Sequence, residues 1–262
     1  MSAKERIIGI MGAMPEEIDS ITPLLSEKRV LSLGMRTYSI GKIDGIRTVV
    51  VFSRWGKVAA ASTVSTLILE FKVTELIFTG VAGAIDARLR IGDIVLGQRL
   101  VQHDMDARPI MPQFEIPLLG VTFFECPVHP LNTAANAISY LLENEHLHAA
   151  IDADDLNKFE IKTPRLFIGD IASGDQFFSD SKDKDELLAK LPSVLCVEME
   201  GAAVAQVCYE YDIPFTIIRT ISDTADEQSP VDFPSFIKKI SSKYSSEVIK
   251  NIYRQFSETS KA

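Results

Sequence analysis

Short apolar runs that stop abruptly at acids or glycines recur along the chain, and the pair within residues 196–226 constrains the fold most. The stretch reads CVEMEGAAVAQVCYEYDIPFTIIRTISDTAD. A first apolar run delivers Glu198 and Glu200 around Met199, and the small residues Gly201 to Cys208 then read as a helix. A second run, Ile213 to Ile221, delivers Arg219, Ser222 and Asp223 just where hydrophobicity ends. Strand alternation places Arg219, Ile221 and Asp223 on one face. Two buried strands around a helix call for a sheet with helical cover, and charge at the end of a buried strand is where open α/β sheets carry their sites.

The rest of the chain repeats this grammar. Arg6 to Met11 predicts a strand, followed by a helix from Pro15 through Ile18, Ile21, Leu24 and Leu25; Pro15 suits its first turn, and Glu16, Glu17 and Asp19 suit its positive end. On local pattern alone, Glu16 and Glu17 read as helix-start charge. Val30–Leu33, Met35–Ile43 and Thr48–Phe52 are β-runs, with a hairpin turn at Asp44-Gly45. A helix is expected over Val58–Phe71, and Trp55 just before it is either a hydrophobic cap or a pocket wall. A strand is expected over Glu75–Thr79, followed by Gly80-Val81-Ala82-Gly83-Ala84, whose glycines let backbone approach a ligand or make a tight turn. Ile91–Val101 reads as a strand pair broken at Gly97. Prolines at 112, 117, 127 and 130 interrupt the next region, where a helix over Leu131–Glu145 stands out. Arg165–Ile171 is a strand, and Ser173-Gly174-Asp175 after it is compatible with turn chemistry alone; Phe177 and Phe178 point opposite ways, one to core and one to a cleft. Ser181–Lys190 is a charged helix. Phe233, Phe236, Ile237, Ile240, Tyr244, Val248 and Ile252 recur at helical spacing, as the core face of a C-terminal helix. The order predicts one α/β domain over residues 1–262, a three-layer fold with a twisted mixed β-sheet flanked by helices and an elaboration at about 113–164.

Charge and cysteine usage narrow the partners. Lys+Arg 27 against Asp+Glu 36 leaves a net charge of −9, which argues against nucleic-acid or anionic-membrane binding. Three scattered cysteines (Cys126, Cys196, Cys208) suit neither a disulfide framework nor a zinc knuckle. MSAKERIIGIMGAM lacks the long apolar core of a signal peptide, so a cytoplasmic protein is expected. His103 within Gln102-His103-Asp104-Met105-Asp106 has no companion at metal-ligand spacing, and no metal is expected.

Glu17, Glu200 and Asp223 each stand at the junction where a buried strand ends. No G-x-S-x-G elbow and no P-loop accompanies them. Acids without a nucleophile or metal motif suit cleavage of a glycosidic bond, which needs one acid for the leaving group and one base for water.

The motifs Gly9-Ile10-Met11-Gly12-Ala13-Met14 with Glu17, Thr79-Gly80-Val81-Ala82-Gly83, Ser173-Gly174-Asp175, Val197-Glu198-Met199-Glu200 and Arg219-Thr220-Ile221-Ser222-Asp223 occur in that order. Together they resemble the 5′-methylthioadenosine/S-adenosylhomocysteine nucleosidases of the purine nucleoside phosphorylase superfamily. The resemblance implies a nucleoside phosphorylase-like fold, no cofactor, and a role for each residue. Asp223 would donate a proton to adenine N7, and Glu17 would deprotonate the attacking water. Glu200 would bind the ribose hydroxyls, with Met199 packed on the sugar. Phe177 would stack on adenine, the backbone of Phe178 would read its edge, and Ser222 and Arg219 would position Asp223 and Glu200. Gly83 would let backbone approach the ligand, and Met14, Trp55, Glu198 and Phe233 complete the expected substrate contacts. A homodimer is implied, with His103–Pro112 reaching toward the neighbour's site.

Three alternatives accompany this expectation. A phosphorylase of the same fold would need a cation for phosphate, where the N-terminal loop carries Glu17 and only Arg54 is near. A nucleosidase preferring aminodeoxyfutalosine would differ on the 5′ side of the substrate. A non-catalytic nucleoside-binding protein would not need Glu17, Glu200 and Asp223 together.

Overall fold

The computed structural model describes residues 5–143, 146–225 and 233–259. Met1–Lys4, Glu145 at the end of the helix expected over Leu131–Glu145, and Asp226 at the end of the 196–226 stretch lie outside them.

Ten strands share one hydrogen-bonded network. They are β1 (Ile7–Gly12), β2 (Ser26–Leu33), β3 (Arg36–Ile43), β4 (Ile46–Phe52), β5 (Glu75–Ala84), β6 (Ile94–Gln102), β7 (Phe124–Glu125), β8 (Leu166–Ser173), β9 (Val194–Glu198) and β10 (Phe215–Asp223). β5 is the hub, pairing in parallel with β1 and β10 and antiparallel with β9. Because β10 also pairs β6, β6 pairs β8 and β8 pairs β9, those strands close a ring through β5, while β1, β4, β3 and β2 extend from it as a sheet. The mixed sheet is therefore partly a barrel and not the open sheet that acids at strand ends suggest.

The helices form the outer layers. α1 (Pro15–Ile18), α3 (Val128–Glu143) and α9 (Ser242–Thr259) lie with Ile8, Ile10, Val50 and Ile218 in one core. α2 (Lys57–Leu69) and α7 (Gly201–Glu210) belong with Met11, Val49, Phe78 and Ile217 to the other. The small residues Ala60, Ala202, Ala203 and Ala205 let these helices lie close to the sheet. Between them in sequence, α4 (His146–Ala149), α5 (Ala153–Lys158), α6 (Ser181–Lys190) and α8 (Phe233–Phe236) are short or peripheral. No helix among the described residues is long and apolar enough to cross a membrane.

Several local expectations change. The N-terminal helix is a single turn, because Pro23 falls in a separate 3-10 turn over Thr22–Leu24. β5 runs through Gly80 and Gly83 to Ala84; the glycines are sites of close approach and not a turn. A Cβ on Gly80 would sit 2.7 Å from Glu17 Oε1, and one on Gly83 would sit 2.9 Å from Asp223 Oδ1. β6 is one strand with a bulge between Gly97 and Arg99 against β8, so Gly97 does not divide it. The C-terminal helical region is interrupted by a π-helical turn over Ile237–Ser241. Ala134, Ile138 and Leu141 of α3, with Ile161, lie against the α9 side of the core.

Candidate active site

The strands converge on one cavity of about 180 Å³. Ala13 and Met14, just after β1, line it, and the first turn of α1 brings in Glu17. β5 contributes Val81 to Gly83, β9 and the turn after it contribute Val197 to Glu200, and β10 contributes Ser222 and Asp223. The aromatic side is Trp55, Phe177, Phe178 and Phe233. Every sequence-derived site candidate lines this cavity except Arg219.

Glu17 is 1% exposed, while its neighbour Glu16 is exposed. Helix-start charge alone therefore describes Glu16 and not Glu17. Glu17 Oε2 accepts the N–H of Ala13 at 2.6 Å and of Met14 at 3.0 Å, closing the helix turn onto itself. Burial drives its carboxyl up to about 7, against the pull of the Arg219 charge and the surrounding backbone amides. A carboxyl that titrates there can act as a base near neutral pH.

Asp223 is 4% exposed and sits beyond a register shift in the β10–β5 ladder. The shift turns the strand end into the cavity. Ser222 Oγ donates to Asp223 Oδ2 at 2.7 Å, and the Ala225 N–H donates to Oδ1 at 2.9 Å. Ser222 thus positions Asp223 directly.

Glu198 and Glu200 lie two residues apart but differ in their partners. Glu198 accepts two hydrogen bonds from Arg219, at 2.7 and 3.2 Å to Oε2, and both carboxylate oxygens face the Gly201 N–H. Ser173 Oγ also donates to Glu198. The expectation that Arg219 positions Glu200 is not met. Its guanidinium stays behind the wall, 1% exposed on its side chain, paired with Glu198 and stacked 4.0 Å above the Phe78 ring. Glu198 is consequently a buried, saturated carboxylate whose first work is to neutralise Arg219. Glu200 accepts one bond, from the Gly56 N–H at 2.7 Å to Oε1. Burial raises its carboxyl, and the adjacent Glu198 charge raises it further.

On the aromatic side, Phe177 is 57% exposed and meets Phe233 edge-on at 6.4 Å, while Phe178 is buried. The Phe177 ring is open to the cleft, while Phe178 packs in the core and also borders the cavity. Phe233 lines the cavity, whereas Phe236 to Ile252 keep to the core; helical periodicity alone groups Phe233 with them. Trp55 is 62% exposed at the mouth, as a wall more than a cap. Reading the sequence missed Gln176 and Ala225, which line the cavity beside Phe177 and Asp223. Each adjoins a flagged motif, and adjacency was the only signal available. No described residue of 113–164 lines the cavity.

The phosphorylase superfamily model matches residues 7–254. The chain belongs to the phosphorylase superfamily. Within the superfamily, it is 32% identical over 240 residues to a 5′-methylthioadenosine/S-adenosylhomocysteine nucleosidase of Geobacillus thermodenitrificans, covering 92% of this chain and 93% of the relative. It is 35% identical over 233 residues to an aminodeoxyfutalosine nucleosidase of Helicobacter pylori, covering 88% and 91%. The solved S-adenosylhomocysteine nucleosidase of Streptococcus pyogenes, in complex with 5-methylthiotubericidin, superposes with a TM-score of 0.82 at 28% identity, covering 97% of this chain and 99% of that one. That solved structure shares its mixed sheet and helical layers.

Proposed function

We propose that the chain is a nucleosidase that hydrolyses the N-glycosidic bond of 5′-methylthioadenosine and S-adenosylhomocysteine, releasing adenine. The observation that carries this reading is the acidity of the cavity. Glu17, Glu198, Glu200 and Asp223 line it, and no lysine, arginine or histidine does so among the described residues. Residues 226–232 contain no cation either. Arg54, the cation nearest in sequence, donates to the Met35 carbonyl at 2.7 Å and faces a neighbouring groove. A phosphate nucleophile would meet carboxylates where it needs positive charge. Water meets a base.

The proposed chemistry divides between two carboxyls. Asp223 transfers its proton to adenine N7, so the glycosidic electron pair leaves on a neutral base. The Ser222 hydroxyl and the Ala225 amide then stabilise the carboxylate left behind. The sugar, flattened toward an oxocarbenium ion, is attacked by water whose proton passes to Glu17. The second oxygen of Glu200 remains available for the ribose hydroxyls, and Met199 packs on the sugar. Adenine would lie against Phe177, with the Phe178 backbone at its edge. This division supports hydrolysis over mere nucleoside binding, because a binding protein has no use for a buried base that titrates near 7.

We further propose a homodimer of a cytoplasmic enzyme. Asp106, Arg108, Pro109 and Ile110 are exposed, with Ile110 at 89%, and Trp55 and Val58 are exposed beside the cavity mouth. A second copy covering these residues would complete the 5′ side. A preference for aminodeoxyfutalosine is the second reading, favoured by the exposed aromatic Trp55, which suits an aromatic 5′ group.

Turnover of methylthioadenosine, S-adenosylhomocysteine, 5′-deoxyadenosine and aminodeoxyfutalosine, each with and without phosphate, tests the reading. Free adenine and a reducing sugar should form at the same rate in phosphate-free buffer. Strict phosphate dependence with a sugar 1-phosphate product would establish a phosphorylase instead.

A further inference from the structure

The bond from the Gly56 N–H to Glu200 joins a loop after β4 to the turn after β9, and something must hold that loop in place. Gly56 itself has φ +91°, and a Cβ there would stand 2.9 Å from Asp175 Oδ1, so the loop is pressed against Asp175. The next residue, Lys57, donates its backbone N–H to Asp175 Oδ1 at 2.8 Å. The Asp175 N–H in turn donates to Asp104 Oδ2 at 2.9 Å. Asp104 Oδ1 accepts from Lys57 Nζ at 2.6 Å, which closes the circuit on the residue where it began. Gln102 adds a second acceptor for Lys57 Nζ at 3.2 Å.

We infer that Asp104 is a positioning residue for Glu200, acting through this circuit and the Gly56 amide. Asp104 does not line the cavity, so its influence on substrate must pass through other residues. Its two carboxylate oxygens hold two different segments at once: the start of α2 through Lys57, and the turn after β8 through Asp175. Loss of either acceptor frees the loop that carries Gly56. The Lys57–Asp104 pair is only partly buried, with side chains 18% and 29% exposed, and pairs of that kind contribute little to global stability. Its effect belongs to geometry. The adjacent His103 points the same way: its ring covers Gly174 and meets Phe178 edge-on at 5.2 Å, so this turn braces the base side of the cavity as well. Within His103–Pro112, then, the first two residues serve their own chain's site.

The inference rests on the proposal that Glu200 binds the ribose hydroxyls, and the test separates the two. Full-length Asp104→Asn, Lys57→Met, Glu200→Gln and Asp104→Asn/Glu200→Gln are compared on methylthioadenosine and on its 2′-deoxy analogue. Asp104→Asn should lower kcat/KM for the ribonucleoside about 10–100-fold, with the melting temperature close to that of the parent. The 2′-deoxy substrate, which lacks a hydroxyl for Glu200 to hold, should lose much less. In the Glu200→Gln background the Asp104→Asn change should add no more than about 2-fold, because the two residues act along one path. Lys57→Met opens the same circuit from its other end and should reproduce the pattern, which keeps the test alive if Asp104→Asn does not fold. Equal losses on both substrates, or full multiplication of the two single effects, would overturn the inference. Glu200→Gln alone leaving the preference for the ribonucleoside intact would overturn the role of Glu200 and leave the circuit without a function.

Discussion

The inner end of the cavity and its mouth are built on opposite terms. At the inner end, Glu17, Glu198, Glu200 and Asp223 are all buried, and each accepts at least one backbone N–H. At the mouth, Trp55 and Phe177 are more than half exposed. The inner end confines charge where water is scarce, which shifts proton affinities and fixes geometry. The mouth offers apolar surface that a bound substrate or a second copy of the chain would cover. Chemistry should therefore depend on single atoms inside, and selection on area outside.

The sharpest way to break that division is to change one inner atom. Asp223→Asn and Glu17→Gln each preserve shape but remove a transferable proton or its acceptor, and each should lower kcat for methylthioadenosine about 10²–10⁴-fold while binding persists. Loss of binding with unchanged kcat in the bound fraction would place both residues in recognition instead.

A second test sets stability against function at Glu17. Its carboxyl is raised from 4.5 to about 7, so folding favours the protonated form. The stability this contributes is complete below about 4.5 and is lost as pH rises through about 7. A shift of that size corresponds to something on the order of 3 kcal/mol. Glu17→Gln should accordingly be more stable than the parent at about pH 8, with the difference vanishing near pH 4, in denaturant titrations at both values. The catalytic limb runs the other way, since the base form that accepts a proton accumulates above about 7. A variant no more stable than the parent at the higher pH would mean that the buried carboxylate is compensated by its amides and Arg219.

The mouth predicts a smaller, concentration-dependent effect. If a second copy covers Ile110 and the rim near Trp55, dilution through the dimer dissociation range should lower activity about 10-fold, as ordered apolar contacts to the 5′ group are lost. Activity per chain that stays constant in a demonstrated monomer would remove the partner from the site.

The inner end was also the more legible half in sequence. β10 and β9 announce themselves as apolar runs ending in acids, and Asp44-Gly45, both with positive φ, forms the hairpin turn its dipeptide specified. What sequence could not show is who meets whom across the sheet. Arg219 pairs with Glu198 because β9 and β10 both flank β5, a neighbourhood no local pattern encodes. The glycines of β5 read equally as a turn or as close approach, because what they make room for, Glu17 on α1 and Asp223 on β10, lies on other elements. The circuit from Asp104 to Glu200 joins four segments and was invisible for the same reason. Between Pro112 and Pro130 the prolines break any periodicity, and that region left the least trace in sequence.

The central claim is that Asp223 and Glu17 divide the proton transfers, and a ribosyl nitrophenolate tests it most directly. Its leaving group departs without protonation, so it bypasses the acid and still requires the base. Asp223→Asn should recover turnover of this substrate to near the parent rate, while Glu17→Gln remains impaired. Equal impairment of both variants, or near-native turnover of methylthioadenosine by Asp223→Asn, would contradict the assignment.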